Sequence, residues 1–276
     1  MRSVGFPDGT AVPMLGQGTW MMGEDPRKRA GEVFALQYGI DLGMTLVDTA
    51  EMYADGGSEQ VVGEAVRGRR DDVFLVSKAY PHNASRGLLP RACDASLSRL
   101  GTDRLDLYLL HWRGNVPLAE TVEAMERLVA AGKILRWGVS NLDTDDMEEL
   151  AAAGGMSCAT DQILYNLTRR SPEFDLIPWL RKRSIPIMAY SPVEQGRLVR
   201  HPGLKSLAER KGCSPAQLAL AWLLDQPGVI AIPKAASRNH VEENRGSADI
   251  ILDEDDRVAL ERLFPAPRSR TRLEML

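Results

Sequence analysis

Residues 105–153 contain the repeat that decides the fold, and they read LDLYLLHWRGNVPLAETVEAMERLVAAGKILRWGVSNLDTDDMEELAAA. Two short, nearly unbroken apolar runs, 105–110 and 134–139, alternate with two longer segments of helical period, 118–131 and 144–153. A continuous apolar run of this length is typical of a parallel strand that is buried on both faces. The stretch therefore predicts two consecutive strand–helix units.

The same alternation extends over the rest of the chain. Strand-like runs lie at 14–17, 45–47, 73–76, 105–110, 134–139, 159–164, 185–189 and 229–232. Helical segments lie at 26–42, 58–66, 88–100, 118–131, 144–153, 174–183, 204–211 and 215–224, with two further ones at 239–244 and 254–263. Strict alternation of strand and helix predicts a parallel sheet, and eight repeats in 276 residues favour closure into a (β/α)8 TIM barrel.

Two additions frame the predicted barrel. Residues 3–6 and 10–12 flank Pro7-Asp8-Gly9, a strong turn sequence, and predict an N-terminal β-hairpin. The last two helical segments exceed the eight repeats and are predicted as extra C-terminal helices. Because no linker composition interrupts the pattern, we expect a single α/β domain over residues 1–276. A doubly wound sheet is disfavoured, since Gly16-Gln17-Gly18 lacks the third glycine of its usual nucleotide-binding turn.

The composition excludes several functional classes. Lys and Arg number 34 and Asp and Glu 38, which leaves a net charge of −4 and no basic footprint for nucleic acid. Three cysteines are too few for a disulfide framework or a zinc site, and four histidines lie at no ligand spacing, so we expect no metal. No apolar run suggests a signal peptide or a membrane span. We therefore expect a cytoplasmic protein, without a membrane partner, that works as a monomer.

Functional groups of a barrel lie at the carboxyl ends of its strands. Tyr53 lies five residues beyond Asp48, in the loop after the second predicted strand. The polar residues near the eight strand ends comprise one acid, two lysines, one histidine, amides and hydroxyls: Thr19-Trp20, Asp48, Lys78, His111, Ser140-Asn141, Gln162, Tyr190-Ser191 and Lys234.

The side chains at the strand ends limit which reactions the protein can catalyse. Hydrolysis by two carboxylates needs a second acid beside Asp48, and Asp161 must face away from Gln162, its neighbour on the same strand. A lysine beside Tyr53 would favour the phenolate and lower the pKa of the phenol. That arrangement suits proton donation during carbonyl reduction, with hydride from a cofactor. Imine formation at Lys78 stays open as a different chemistry.

Eight short motifs, one for each strand end, resemble those of the aldo-keto reductases, which are NAD(P)H-dependent enzymes built on a (β/α)8 barrel. The motifs are GTW at 18–20, VDTAEMY at 47–53, VSK at 76–78, LHW at 110–112, GVSN at 138–141, DQ at 161–162, AYSP at 189–192 and IPK at 232–234. Each is weak alone, but their shared order makes the resemblance specific over essentially the whole chain. MAYSPVEQGRL at 188–198 and FPAP at 264–267 are most similar to compact bacterial members associated with reduction of methylglyoxal and other small aldehydes.

The resemblance implies the catalytic roles. Tyr53 would be the general acid, and Lys78 would lower its pKa. Asp48 would pair with Lys78, and His111 would orient and polarise the carbonyl group. The implied substrate pocket consists of Trp20, Tyr80, His111 and Trp112.

The resemblance also implies NADPH as the cofactor, with NADH as the second option. Tyr190 would stack on the nicotinamide, the loop 191–198 would embrace the pyrophosphate, and Lys234 would meet the adenosine ribose or its 2′-phosphate. Ser140, Asn141 and Gln162 would bind the carboxamide. The complete implied set is Thr19, Trp20, Asp48, Ser140, Asn141, Gln162, Tyr190, Ser191, Pro192, Val193, Gln195, Gly196, Leu198, Ile232, Pro233, Lys234, Ser237, His240, Glu243 and Asn244.

The chain departs from the family pattern at the adenosine end. Ala235 stands where the family usually has Ser or Thr, and His240 stands where an arginine grips the 2′-phosphate. Arg238 is close in sequence to this position, and it would either replace the family arginine or point away from the 2′-phosphate. A lysine offers a phosphate only a point charge, whereas an arginine can donate two parallel hydrogen bonds to it. The absence of the family arginine should therefore weaken the preference for NADPH. The short C-terminal segment implies an open, permissive substrate pocket.

Three hypotheses from different classes remain. The leading one is NADPH-dependent reduction of aldehydes and ketones to alcohols, with hydride from C4 of the nicotinamide and a proton from Tyr53. The alternative is a nucleotide-binding, redox-sensing regulatory subunit with the same fold and little turnover. The third is a barrel lyase or aldolase that uses Lys78 as an imine-forming amine, against which the expected pairing with Asp48 argues.

Overall fold

Eight parallel strands form the centre of the computed structural model, which describes residues 1–276. They are hydrogen bonded in chain order, and the sheet closes through bridges from Leu15 to Ala231 and from Gly18 to Lys234. The closed sheet is a barrel, as predicted. Its strands are β3 (Gln17–Gly18), β4 (Leu46–Asp48), β5 (Phe74–Ala79), β6 (Leu107–Leu110), β7 (Trp137–Ser140), β8 (Asp161–Leu164), β9 (Ile187–Tyr190) and β10 (Val229–Ala231).

Ten helices surround the barrel or extend beyond its last strand. Buried side chains on the outer faces of the strands pack against them, so apolar residues occupy both the inside of the barrel and the layer between sheet and helices. The helices are α1 (Arg29–Asp41), α2 (Gly57–Ala65), α3 (Leu89–Leu100), α4 (Leu118–Ala130), α5 (Thr144–Ala152), α6 (Leu176–Arg181), α7 (Pro202–Lys211), α8 (Pro215–Asp225), α9 (Arg238–Gly246) and α10 (Glu254–Leu263). No helix has the length and apolarity needed to cross a membrane.

The predicted hairpin is present as β1 (Ser3–Gly5) and β2 (Ala11–Pro13). Phe6 stacks on Phe74, the first residue of β5, with ring centroids 5.3 Å apart. Arg136, directly before β7, donates to Asp8 and Thr10. The hairpin therefore covers the amino ends of the strands and leaves the opposite end to the functional loops.

Several predicted boundaries were wrong by a few residues. The first barrel strand is confined to Gln17–Gly18 because Leu15 pairs only through an isolated bridge. Helix α1 starts at Arg29 rather than at residue 26, since the Asp25 side chain and carbonyl accept the preceding N–H groups into a turn. Helix α6 spans only Leu176–Arg181, because Asp175 caps it after a separate turn.

Candidate active site

Asp48, Lys78 and Tyr53 meet inside the carboxyl end of the barrel. Asp48 ends β4, Lys78 lies in β5, and Tyr53 begins the short turn after β4. The Lys78 ammonium donates to Asp48 Oδ2 at 2.7 Å, to the Thr49 carbonyl at 2.8 Å and to Tyr53 Oη at 3.3 Å. Lys78 has no exposed surface, so this charge exists in the core only because its three donor positions are occupied.

The pKa of Tyr53 reflects two opposite effects. Burial raises this pKa, and the nearby Lys78 charge lowers it by less, so the net direction is upward. The lowering effect that was predicted for Lys78 is present, but the sequence did not reveal the larger, opposite effect of losing water around the phenol. A protonated phenol at neutral pH is nevertheless what a proton donor requires.

Lys78 keeps its charge despite burial. Burial acts to lower its pKa, but attraction to Asp48 and Tyr53 outweighs it, so the pKa of Lys78 is raised. An imine-forming lysine must be neutral when it attacks a carbonyl carbon. The geometry therefore argues against the lyase or aldolase hypothesis.

His111 follows β6 and borders the tyrosine. Its ring lies edge-on to Tyr53, with centroids 5.8 Å apart. Burial, aided by the charge of Lys78, lowers the pKa of His111 to about 2, so the imidazole is neutral. Its buried Nδ1 atom has no hydrogen-bond partner in the chain. A neutral imidazole can donate one N–H to a carbonyl oxygen without adding charge.

A second hydrogen-bonded chain starts from the other oxygen of Asp48. The Gln162 side chain donates from Nε2 to Asp48 Oδ1 at 2.8 Å, and the backbone carbonyl of Gln162 accepts from Ser140 Oγ at 2.8 Å. Asn141 donates to Ser140 Oγ at 3.0 Å and accepts from the Tyr190 hydroxyl at 2.9 Å. The structure thus brings together the four residues that the resemblance assigned to the nicotinamide. Amide and hydroxyl groups beside a half-buried tyrosine ring fit a planar carboxamide-bearing ring.

Asp161 faces away from Gln162, as the strand alternation predicted. Both of its carboxylate oxygens are buried without a hydrogen bond of good geometry. Burial raises its pKa well above the ordinary range, although the backbone N–H of Leu142 acts in the opposite direction. Asp161 therefore lies outside the catalytic cluster.

The predicted pyrophosphate loop has an unusual backbone. Ser191, Glu194 and Gln195 have φ values of 49°, 51° and 53°, in the left-handed region. Left-handed non-glycine residues cost conformational energy and need support from their surroundings. The buried Ser191 hydroxyl has no partner in the chain, which fits a loop built to receive a polar ligand.

Glu194 supplies the support for this loop and was missed as a functional residue. Its buried carboxylate accepts from Asn166 at 2.7 Å, from Arg169 at 2.8 Å and from Arg197 at 3.0 Å. Arg169 also pairs with Glu274 in the C-terminal tail. The motif around Glu194 was visible in the sequence, but its burial was not.

The predicted adenosine end is exposed and only partly as expected. Lys234 is exposed and makes no ion pair within the chain, and Ser237 caps α9 by accepting from the backbone N–H of His240. Arg238 pairs with Glu242 and lies over the ring of Tyr38, so its guanidinium is already engaged on the outer surface. Glu243 accepts from Ser214 at the start of α8 rather than lying free. Lys234 and the exposed His240 are the groups left for a phosphate.

The predicted aromatic walls border the cluster. Trp112 contacts His111, with ring centroids 4.8 Å apart, and lies edge-on to Tyr80 at 5.9 Å. Trp20 is 46% exposed, so this side of the site is open. Glu51, which was not predicted to act here, accepts from the backbone N–H of Tyr80 at 2.6 Å and holds that loop.

The class of protein follows from this arrangement. A (β/α)8 barrel with a buried Asp–Lys pair, a protonated tyrosine and a neutral histidine at its strand ends defines an NAD(P)H-dependent carbonyl-reducing oxidoreductase. A model of the Aldo/keto reductase family matches residues 14–263. The chain therefore belongs to the aldo/keto reductase family.

Individual relatives agree with this assignment. The chain is 50% identical to methylglyoxal reductase YeaE of Escherichia coli (strain K12), and the match covers 100% of this chain and 99% of that protein. It is 54% identical to an aldo/keto reductase from Klebsiella pneumoniae solved in complex with NADP and acetate, with a TM-score of 0.97 and 99% of each chain covered. An aldo-keto reductase from Klebsiella pneumoniae solved in complex with NADPH has the same identity and TM-score and covers 100% of this chain and 99% of that chain.

Proposed function

We propose that the protein reduces methylglyoxal and other small aldehydes and ketones to alcohols with NADPH. The observation that carries the proposal is the wholly buried Lys78, hydrogen bonded to both Asp48 and Tyr53 at the strand ends. The names of the relatives support the substrate class and the cofactor. The regulatory-subunit alternative has no observation in its favour.

The cofactor site is assigned to the residues that match its chemistry. Tyr190 would hold the nicotinamide by stacking, the loop around Ser191 the pyrophosphate, and Lys234 the 2′-phosphate. Ser140, Asn141 and Gln162 would hold the carboxamide. Bound NADPH supplies the hydride for the carbonyl carbon.

The chain's own residues supply the proton and the charge stabilisation. As the carbonyl oxygen gains negative charge, the Tyr53 phenol transfers its proton to that oxygen, and the product is an alcohol. The Lys78 ammonium stabilises the phenolate left behind, and Asp48 keeps the ammonium charged and directed at it. His111 donates a hydrogen bond to the same carbonyl oxygen while staying neutral. Solvent then reprotonates Tyr53.

The decisive experiment compares Tyr53→Phe with the unchanged protein. We expect NADPH binding, followed by fluorescence, to be retained. Turnover of methylglyoxal, followed by nicotinamide absorbance, should fall by about 10²- to 10⁴-fold, because the proton donor is lost. Tyr165→Phe is the matched control, since it removes a buried phenolic hydroxyl that donates to Glu173 instead. Full turnover by Tyr53→Phe would overturn the assignment of the acid.

We further propose that the protein is a cytoplasmic monomer with one domain over residues 1–276. All three cysteines are free, and Cys93 and Cys158 are buried, which suits a reducing compartment. Sedimentation equilibrium should give a mass close to 30.4 kDa. A dimer mass would contradict the monomer.

A further inference from the structure

The turn that carries Tyr53 is conformationally strained. Ala54 and Asp55, directly after Tyr53, have φ/ψ of 51°/39° and 51°/42°, and Gly56 follows with a φ of 86°. A left-handed non-glycine residue is energetically unfavourable and persists only where the surrounding structure holds it. Three left-handed residues in a row beside the general acid therefore require a specific support.

Arg99 of α3 provides a support for this turn. A Cβ atom on Gly56 would lie 2.4 Å from Cδ and 2.5 Å from Nε of Arg99, so the arginine side chain occupies the space above the glycine. Arg99 Nε donates to Glu59 Oε2 at 2.5 Å, and Glu59 is wholly buried. The arginine is thus fixed where its side chain packs against Gly56 of the turn.

Glu59 connects the same arginine to the strand of Lys78. Its second oxygen, Oε1, accepts from Ser77 Oγ at 2.6 Å. Ser77 directly precedes Lys78 in β5, and because side chains alternate along a strand, it faces the helices while Lys78 faces the barrel. One buried carboxylate therefore joins the turn of Tyr53 to the strand of Lys78 from outside the barrel.

We propose that Glu59 and Arg99 form a positioning pair that sets the 3.3 Å contact between Lys78 Nζ and Tyr53 Oη. Neither residue belongs to the cluster of polar groups around Lys78, so they act through the backbone on either side of that contact. The Glu59 side chain is wholly buried and that of Arg99 is 25% exposed, so the pair pays a desolvation cost, and in this proposal its contribution is a defined geometry. The proposal rests on the roles proposed above for Tyr53 and Lys78.

The test uses the double variant Glu59→Gln/Arg99→Met, which avoids leaving one buried charge without its partner. We expect kcat for methylglyoxal to fall at least about tenfold, because small misplacements of reacting groups have effects of this order. The alkaline limb of the kcat–pH profile should move to higher pH, since a more distant Lys78 lowers the phenol pKa less. The NADPH dissociation constant and KM should stay within about twofold, because the pair touches neither ligand.

Arg29→Met/Glu64→Gln is the matched control. It makes the same two substitutions in an ion pair between α1 and α2, and its Glu64 lies at the other end of α2 from the turn of Tyr53. We expect its kcat and pH profile to be unchanged. Arg99→Lys alone should restore part of kcat relative to the double variant, since it keeps a charge beside Glu59.

Two results would overturn the positioning role. The first is a folded double variant with the kcat and pH profile of the control. The second is a parallel loss of stability, NADPH binding and kcat that Arg99→Lys does not relieve, which would make the pair a general fold support. Tyr53→Phe, measured in parallel, separates the two proposals. Full turnover in that variant would contradict both the role of Tyr53 as the acid and the positioning role of the pair. Lost turnover in that variant, together with normal turnover in the double variant, would contradict only the positioning role.

Discussion

The free-energy cost of burying a polar side chain depends on the hydrogen-bonding and charged groups around it. Lys78 and Glu194 are surrounded by opposite charges and donors or acceptors, whereas the Asp161 carboxyl has no good partner. Its raised pKa means that the folded protein holds a proton there which the unfolded chain releases near pH 4. Stability is therefore lost as pH rises from the unfolded pKa toward the folded pKa.

Asp161→Asn should accordingly stabilise the protein at high pH. We expect a gain of roughly 1–3 kcal/mol at pH 8, because a neutral amide replaces a carboxyl that is costly to ionise. Near pH 4 the gain should shrink, since the folded protein is then protonated at this position and the unfolded chain is about half protonated. Urea unfolding at the two pH values measures the difference. An equal effect at both would show that ionisation of Asp161 does not limit stability.

Lys234 is the residue that should distinguish the two nicotinamide cofactors. It is exposed and makes no ion pair, whereas Arg238 is engaged by Glu242 and Tyr38. Lys234→Ala should raise the dissociation constant of NADPH more than that of NADH, by about tenfold, since a charge-assisted contact is worth about 1.5 kcal/mol. Fluorescence titrations with both cofactors check this, with Lys205→Ala on α7 as the control. Equal losses for both cofactors would mean that Lys234 does not contact the 2′-phosphate.

Among the structural elements, the loop after β9 and the C-terminal tail are held as one unit. Arg169 pairs with Glu194 of the loop and with Glu274 of the tail, and the backbone N–H of Leu276 approaches the Tyr190 hydroxyl. Further ion pairs join Arg270 of the tail to Asp145 and Asp175. Changes in the loop should therefore reach both cofactor binding and the mouth of the site.

Glu194→Gln tests this coupling. The amide keeps the size of the side chain but loses the charge that holds Arg169 and Arg197, so the left-handed loop should become mobile. We expect NADPH to dissociate about tenfold faster in stopped-flow measurements, because one charge-assisted contact is worth about that factor. Glu261→Gln, which removes an exposed partner of Arg170, is the control. An unchanged dissociation rate would show that the loop does not need Glu194.

At the scale of the whole molecule, the two ends of the barrel differ in function. The amino end is closed by the hairpin, and the carboxyl end carries the polar cluster around Lys78. Arg136 joins the hairpin to the barrel through Asp8, Thr10 and the rings of Phe6 and Phe74. Contacts at the amino end of a barrel contribute to stability rather than to chemistry.

Arg136→Met should therefore lower stability without changing catalysis. We expect a loss of about 1–3 kcal/mol in the free energy of unfolding, because hydrogen bonds of a charged group that are partly buried are removed. The kcat for methylglyoxal should stay unchanged at a temperature where the variant is folded. Denaturant unfolding and steady-state kinetics on the same preparation measure both quantities. A fall in kcat with intact folding would show that the two ends are coupled.

The amino-acid sequence by itself determined the order of strands and helices, the barrel class and the residues at the strand ends. These features depend on local hydrophobic period and on the position of a residue within its own strand, which are readable one segment at a time. The eight motifs then predicted which of these residues act in catalysis, and the structure places Asp48, Tyr53, Lys78 and His111 together.

Only the tertiary structure decided the balance of forces at the site. The pKa of Tyr53 is raised because burial outweighs the charge of Lys78, and burial is not visible in a sequence motif. Glu194 pairs with Arg169, and Glu59 pairs with Arg99. In both pairs the arginine is distant in the sequence, so the structural role of the glutamate could not be predicted from its own segment. Such contacts depend on distances between segments that are set only when the barrel closes.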